Sequence, residues 1–390
     1  MIGIDVGATE ATHSDYSTLA HGVPDAPPDL LVRVANDRPA IRLDTNGCEL
    51  RPAPEIFADL VAHAVRQRPI GDVAPTAVAV PAWWTPRVLD QVRAALAARD
   101  VRVALVNDAE AAVAEHRAMG HDVPETVAVL SVRAEYSSVA IVEHCPEQPV
   151  ARATPVYVHD EGGTRLDVAI LRHLVAGLVD LGDEIEVGSP DTIGAARVAL
   201  HRCRELREAL STSAVESAHI DLPGAVHRLR LVRSELDELA DPWIRAVIQM
   251  TDSAITQYAG PVGAVMIVGG LAAMPMVSQR LSAGLGLEVI VTEEPEFIVA
   301  RGARRIAENN ITARGSEGRR SSLWTRRRSR ATGKRRRGAP TAIEASPVAS
   351  RRALRIPPGS LDESAPEQLA GQFVPVEASV QATGDRQFTS

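Results

Sequence analysis

The sequence predicts a two-lobed α/β fold over residues 1–307, followed by a basic tail with no core of its own. Three observations carry that reading. Short apolar runs stopped by glycine or proline alternate with longer amphipathic stretches, the pattern of sheets with helices packed on their faces. Hydrophobic residues make up 45% of the 390 positions, which supplies a core for a chain long enough to form two lobes. Past residue 307 the periodicity stops, and an arginine-rich stretch at 319–337 leads into a Pro/Ser/Ala-rich remainder. Such a segment cannot bury enough surface to offset its ordering entropy, so residues 308–390 are expected to be disordered.

The elements follow in order. Residues 2–6 form a short apolar run that ends at Gly7. Residues 55–66 place Ile56, Phe57, Leu60, Val61, Ala64 and Val65 on one helical stripe. Residues 77–80 read as a buried strand stopped by Pro81. Residues 86–98 read as a helix with proline in its first turn, and 101–106 as a strand. A helix is expected at 109–116, and 127–130 should pair with 138–142 as a hairpin. Two amphipathic helices follow at 166–179 and 242–258, then a strand at 265–268, a helix at 276–283 and a strand at 289–292. No repeat of solenoid period is present.

Composition excludes several classes. Aromatics are 3% of the chain, so the core must be built from Ala, Val, Leu and Ile. Cys48, Cys145 and Cys203 are odd in number and far apart, which supports neither a disulfide framework nor a zinc knuckle. Reduced thiols and a start without a basic segment lead to the expectation of a cytoplasmic protein. The apolar run at 262–277 is shorter than the roughly 20 residues of a spanning helix and is broken by Gly269, Gly270 and Pro275. No transmembrane segment is expected. The histidines include no HExxH, and no serine lies in a GxSxG context, so metalloprotease and hydrolase readings are unsupported. Trp83 and Trp84 are read as packing beneath the helix that follows them.

Charge is divided unevenly. Residues 312–390 hold 15 Lys+Arg against 7 Asp+Glu, and the rest holds 27 against 43. A basic tail on an acidic body suits an anionic surface or a nucleic acid, and equally a merely solubilising tail.

Six segments fall in a recognisable order: Ile2-Gly3-Ile4-Asp5-Val6-Gly7-Ala8-Thr9; Val80-Pro81-Ala82 with Val106-Asn107-Asp108-Ala109-Glu110-Ala111-Ala112; Gly162-Gly163-Thr164-Arg165-Leu166-Asp167; residues 203–213; Ile267-Val268-Gly269-Gly270 with Pro275; and Glu294-Pro295-Glu296 with Ala300-Arg301-Gly302-Ala303. Together they resemble the actin-like ATPase superfamily, with its ribonuclease H-like lobes, and within it the nucleotide-binding domain of DnaK-type chaperones, the heat shock protein 70 family. The resemblance implies a first lobe at 1–150 and a second at 151–307, with ATP or ADP and Mg²⁺ as ligands of the cleft between them. It implies phosphate or nucleoside contacts from Asp5, Gly7, Thr9, Arg133, Arg207, Ser211, Gly269, Gly270 and Glu296. Asp5 would hold the waters of a Mg²⁺ ion, and Asp108 would orient the attacking water. The physics is separate: a strand-to-glycine turn aims backbone N–H groups at phosphate oxygens, and paired glycines let backbone approach a nucleoside. Taken singly, each segment also reads as a strand end, a cap or a turn.

The pattern then departs from that family. Its second phosphate loop reads Asp-Leu-Gly-Gly-Gly-Thr, whereas this chain has Ser131-Val132-Arg133-Ala134-Glu135-Tyr136. Glu135 stands where phosphate would lie, and like charges about 4 Å apart repel by about 4 kcal/mol at an effective dielectric of about 20. Arg133 could offset part of this as a phosphate donor. The lysine that the family uses in its first lobe is absent, since the only lysine of the chain is Lys334. Residues 9–80 are too few for the full outer subdomain of that lobe. Arg204 and Glu208 replace the ribose-binding acid and the adenine-stacking arginine, and Leu271-Ala272-Ala273 replaces a polar run. No peptide-binding β-domain follows. The expectation is therefore a degenerate nucleotide-binding domain, a weak or inactive ATPase that acts on a protein partner as regulator or scaffold. A working chaperone-type ATPase and a non-enzymatic interaction protein that uses its tail are the alternatives.

Overall fold

The computed structural model describes residues 2–6, 11–13, 29–44, 47–66, 75–144, 149–152, 154–176, 190–222, 225–292 and 294–311. All of them belong to one compact unit, residues 1–328. Gly7, Thr9 and the tail from residue 312 lie outside the described residues. The expectations that rest on them, half of the first phosphate loop and the anionic partner, keep that status.

In chain order the first part comprises β1 (Ile2–Val6), β2 (Ala11–His13), α1 (Leu30–Ala35), β3 (Pro39–Asp44), β4 (Gly47–Pro52), α2 (Ala53–Arg66), β5 (Thr76–Val80), α3 (Pro86–Ala97), β6 (Val103–Asn107) and α4 (Asp108–Ala118). The second comprises β7 (Thr126–Val132), β8 (Tyr136–His144), β9 (Pro149–Ala151), β10 (Val156–His159), α5 (Gly163–Ala176), α6 (Pro190–Ala209), β11 (Val215–Leu222), β12 (Ala225–Val232), α7 (Arg233–Gln257), β13 (Ala264–Val268), α8 (Pro275–Leu285) and β14 (Glu288–Val291). A last helix, α9, covers 298–311.

Two sheets organise these elements. The first has the order β2-β1-β5-β6, with β1, β5 and β6 parallel. β5 is buried at all five positions, as a parallel strand covered on both faces must be, which is why Thr-Ala-Val-Ala-Val reads as an unbroken apolar run. The second sheet has the order β10-β8-β7-β13-β14 with β9 paired to β8. Its β7–β8 pair is the expected hairpin, with Leu130 opposite Val139. By hydrogen bonding, the second sheet begins at Thr126, so the division expected at residue 150 falls inside it. In open parallel sheets, ligands gather beyond the carboxyl ends of the strands. Asp5, Asn107, Ser131 and Val268 all stand at such ends.

Each lobe has its own aliphatic cluster, one around Phe57, Ile4 and Leu30, the other around Leu130, Ile170 and Trp243. Between the sheets lies a third, made mainly of Ala and Val, where α4 and α9 cross. The small side chains there let backbones touch. A Cβ on Gly3 would come 1.8 Å from the carbonyl oxygen of Ala300, and one on Gly302 would come 1.8 Å from that of Ala111. Glu115 of α4 and Arg305 of α9 close the same contact with an ion pair at 2.8 Å.

One expected helix begins well before its predicted start. α7 starts at Arg233, nine residues before Pro242, where proline had marked a helix start. Proline inside a helix removes one N–H and crowds the preceding turn, at a cost of about 3 kcal/mol. The buried stripe Leu236, Ala240, Trp243, Ile244, Val247, Met250 and Ala254 runs straight through it and outweighs that loss. Glu235 fixes the start by accepting the Val232 N–H at 2.9 Å. No helix of the described residues is long and apolar enough to cross a membrane.

Two glycines give a paired test. Gly302→Ala should lower stability by about 1–3 kcal/mol through overpacking against Ala111. Gly194→Ala, on α6 with nothing within 4 Å of its Cβ position, should raise it by about 0.5–1 kcal/mol through helix propensity. Thermal unfolding of both variants beside the parent measures the two signs.

Candidate functional site

The carboxyl ends of the two sheets face each other across a cleft with about 130 Å³ of room, comparable to cavities of roughly 150 Å³ that accept a benzene-sized guest. Asp5, Arg133, Arg207, Gly269, Gly270 and Glu296 all line it, together with Asp29–Val32 at the start of α1, which the sequence did not single out. Ser211 does not. It lies in a separate cavity of about 120 Å³ beside Met274, Pro275 and Arg233, and its hydroxyl donates to the Arg207 carbonyl at 3.4 Å.

Asp108 stands behind the cleft with Arg133 between it and Asp5. The Arg133 side chain leaves the β7–β8 turn and crosses to the first lobe. Its Nη1 donates to Asp5 Oδ2 at 2.6 Å, its Nη2 lies 3.5 Å from Asp108 Oδ2, and its Nε donates to Ser131 Oγ at 3.2 Å. One guanidinium thus engages both acids that the resemblance assigned to metal and water. Asp108 is 1% exposed, and its other oxygen accepts the Ala82 N–H at 2.9 Å. Burial raises its carboxyl above the usual range, Arg133 opposes that shift, and Asp5 adds to it. For Arg133, burial works against the charge, but the carboxylates of Asp5 and Asp108 more than reverse it and hold the guanidinium firmly protonated.

The turn that carries Arg133 is pinned. Arg133 N–H bonds to the Tyr136 carbonyl at 2.9 Å. The first N–H groups of α5, those of Gly163 and Thr164, donate to the carbonyls of Arg133 and Ala134 at 2.9 and 2.8 Å. Helix N-terminal donors of this kind are what a phosphate would use; here protein backbone uses them. Gly162 allows the approach, since a Cβ there would stand 2.4 Å from the Ala134 carbonyl oxygen. Glu135 faces the cleft, accepting the Thr164 hydroxyl at 3.3 Å, and burial raises its carboxyl. Gly269 has φ of +99°, and a Cβ on it would meet the Val132 carbonyl oxygen at 2.2 Å, so glycine is required there for the turn itself.

Aromatic contacts join the lobes beside this ion pair. Trp83, after β5, stacks on Tyr157 of β10 with centroids 4.0 Å apart and meets Tyr136 of β8 edge-on at 5.2 Å. Tyr136 is 1% exposed, and burial raises its phenol well above its ordinary range. Trp84 turns the other way, packing edge-on against Phe57 and donating to the Leu31 carbonyl at 3.2 Å. Both tryptophans keep to the expected role, buried in one cluster with Val88, Val92 and Leu96 of α3, the helix that follows them. On the far side of the cleft, Arg207 of α6 is buried, with its Nε 2.8 Å from Asp167 of α5, and Arg204 reaches the same carboxylate at 3.5 Å. Both arginines therefore have a protein anion already.

A two-lobed α/β body with two sheets opening on one cleft is the architecture of the actin-like ATPase fold. A family profile described as Hsp70 protein matches residues 25–311, and the chain belongs to the Hsp70 family. Among curated proteins it is similar to a chaperone protein HscA homolog of Bordetella petrii, 29% identical over an alignment of 171 residues that covers 37% of this chain and 27% of that protein. It is also similar to a heat shock protein homolog of Saccharomyces cerevisiae, 26% identical over 269 residues, 64% of this chain and 37% of that protein. The matched part spans well under half the length of those relatives.

The residues present do not fit Mg²⁺ with a triphosphate. The guanidinium sits on the acid that would hold the metal's waters and on the acid that would orient the attacking water, the helix donors are spent on backbone, and Glu135 adds negative charge where phosphate would need donors. Among the described residues, no group of His, Cys, Asp and Glu is arranged to hold a metal ion.

Removing the guanidinium exposes what it compensates. Arg133→Ala should cost about 3–5 kcal/mol, because Asp5 and Asp108 stay buried without their cation. It should also push the Asp108 carboxyl further up, so the folded state holds that proton more tightly than the unfolded chain does. Stability of the variant then rises as pH falls from neutrality toward the ordinary carboxylate range, and is lost as pH rises through the folded value. Thermal unfolding across that range tests this; a profile parallel to the parent's would contradict it.

Proposed function

We propose that this chain is a degenerate Hsp70-type nucleotide-binding domain that acts as a regulator or scaffold, its two lobes held together by Arg133 rather than by a metal and a nucleotide. The contact of that guanidinium with both Asp5 and Asp108 is the observation that carries the reading. A ligand shifts a conformational equilibrium only by its differential affinity for the two states. When a cation belonging to the protein already stabilises the closed cleft, an added nucleotide has little left to contribute. Hydrolysis is weak or absent in this reading, because the carboxylate that would orient water is buried and bonded to Ala82 and Arg133. The partner is a protein, contacted without a cycle of opening and closing, and the arginine-rich segment 319–337 adds affinity for an anionic surface.

Calorimetry with Mg²⁺ and ATP is the test. The parent should show no binding below millimolar nucleotide and no turnover above background. Micromolar binding, with turnover that disappears in Asp108→Asn, would overturn the proposal in favour of a working ATPase. Deleting residues 312–390 should abolish salt-dependent association with anionic vesicles or DNA while leaving the melting temperature of the remainder unchanged; retained association would remove the tail from the proposal.

A further inference from the structure

We propose that the outer face of the β11–β12 hairpin is a docking surface for an extended acidic segment of a partner protein. The two strands form a separate two-stranded sheet with Ser217 opposite Arg230, His219 opposite Arg228 and Asp221 opposite Val226. Its inner face is covered: Ile220 and Leu231 are fully buried, with Ala218 and Leu229 packed beside them against the core of the second lobe. The two-residue alternation of a strand then sends Val215, Ser217, His219 and Asp221, with Val226, Arg228 and Arg230, to the opposite face, and all seven are exposed.

That face is cationic on balance. Arg228 and Arg230 make no ion pair with any described residue. The one acid on the face, Asp221, lies near Arg202 of α6. The arginines are two residues apart on one strand, so their side chains stand roughly 6.6 Å apart, the spacing of alternate side chains in any extended chain. Aspartate or glutamate at every second position of a bound segment would meet both guanidinium groups at once. Val226 at 64% exposure and Val215 at 47% frame the pair and offer apolar contact to the positions between.

Charge complementarity selects the partner. Residues 1–311 carry 27 Lys+Arg against 43 Asp+Glu, so this face is a local exception on an acidic body. A long polyanion such as nucleic acid would extend over that body and be repelled, whereas a short acidic segment feels mainly the two arginines within a Debye length of roughly 8 Å.

The test is fluorescence anisotropy of the full chain with a labelled peptide of alternating glutamate and valine at about 0.15 M salt. Arg228→Glu with Arg230→Glu should weaken binding at least about tenfold, and the same double variant should gain affinity for the matching lysine–valine peptide. Both substitutions are on exposed positions, and the tail is identical in the two proteins. Equal affinity of parent and variant would overturn the proposal by assigning the binding to the tail. An equal loss of affinity for duplex DNA would overturn the choice of a protein segment.

Discussion

The structure depends on one buried contact between the lobes, the Arg133 guanidinium set between Asp5 and Asp108. Three charges are withdrawn from water there, and desolvation alone would make such a group unfavourable. It is tolerated because Asp108 and the guanidinium each have further partners. Asp108 begins α4, where the Ala82 and Ala109 N–H groups and the helix N-terminus favour negative charge, and Ser131 meets the guanidinium Nε. A group assembled in this way is costly to dismantle, so the two strand ends that hold it are fixed relative to each other.

Trp83 strengthens the same constraint by a different force. Its stacking on Tyr157 and edge contact with Tyr136 bury flat apolar surface between the lobes in a chain with few aromatic residues. Arg207 and Arg204 complete the rearrangement by turning to Asp167 within their own lobe. Among the described residues, every cation that lines the cleft is thus satisfied by protein, and the acids that remain there, Glu135 and Glu208 among them, favour no anion.

Much of the fold was legible in the sequence because burial writes a strong pattern. β5 and β13 read as continuous apolar runs, and the β7–β8 hairpin followed from two such runs around a polar turn. The start of α7 was not legible, since proline is as acceptable at a helix start as it is costly inside one, and only the tertiary stripe decides. The β11–β12 hairpin went unread although Pro223-Gly224 sits between two alternating stretches and marks a turn. For the site, residue types were visible and their partners were not. Arg133 was recognisable as a cation in a phosphate loop, but whether it points at a ligand or at Asp5, 128 positions away, is set by the pinned turn and the meeting of two sheets. Ser211 shows the converse: local sequence placed it near Arg207, but α6 ends at Ala209 between them, and Ser211 faces another cavity.

The most direct test of the clasp is the distance between the lobes with and without nucleotide. Spin labels at Arg93 on α3 and His201 on α6, both exposed, report that distance by pulsed electron resonance once Cys48 and Cys145 are replaced by serine. A clasp held by Arg133 predicts one narrow distribution for the protein alone, unchanged by Mg²⁺ and millimolar ATP, and a broad one for Arg133→Ala. A broad distribution in the parent that narrows on adding nucleotide would contradict it, because the cleft would then still be waiting for its ligand to close.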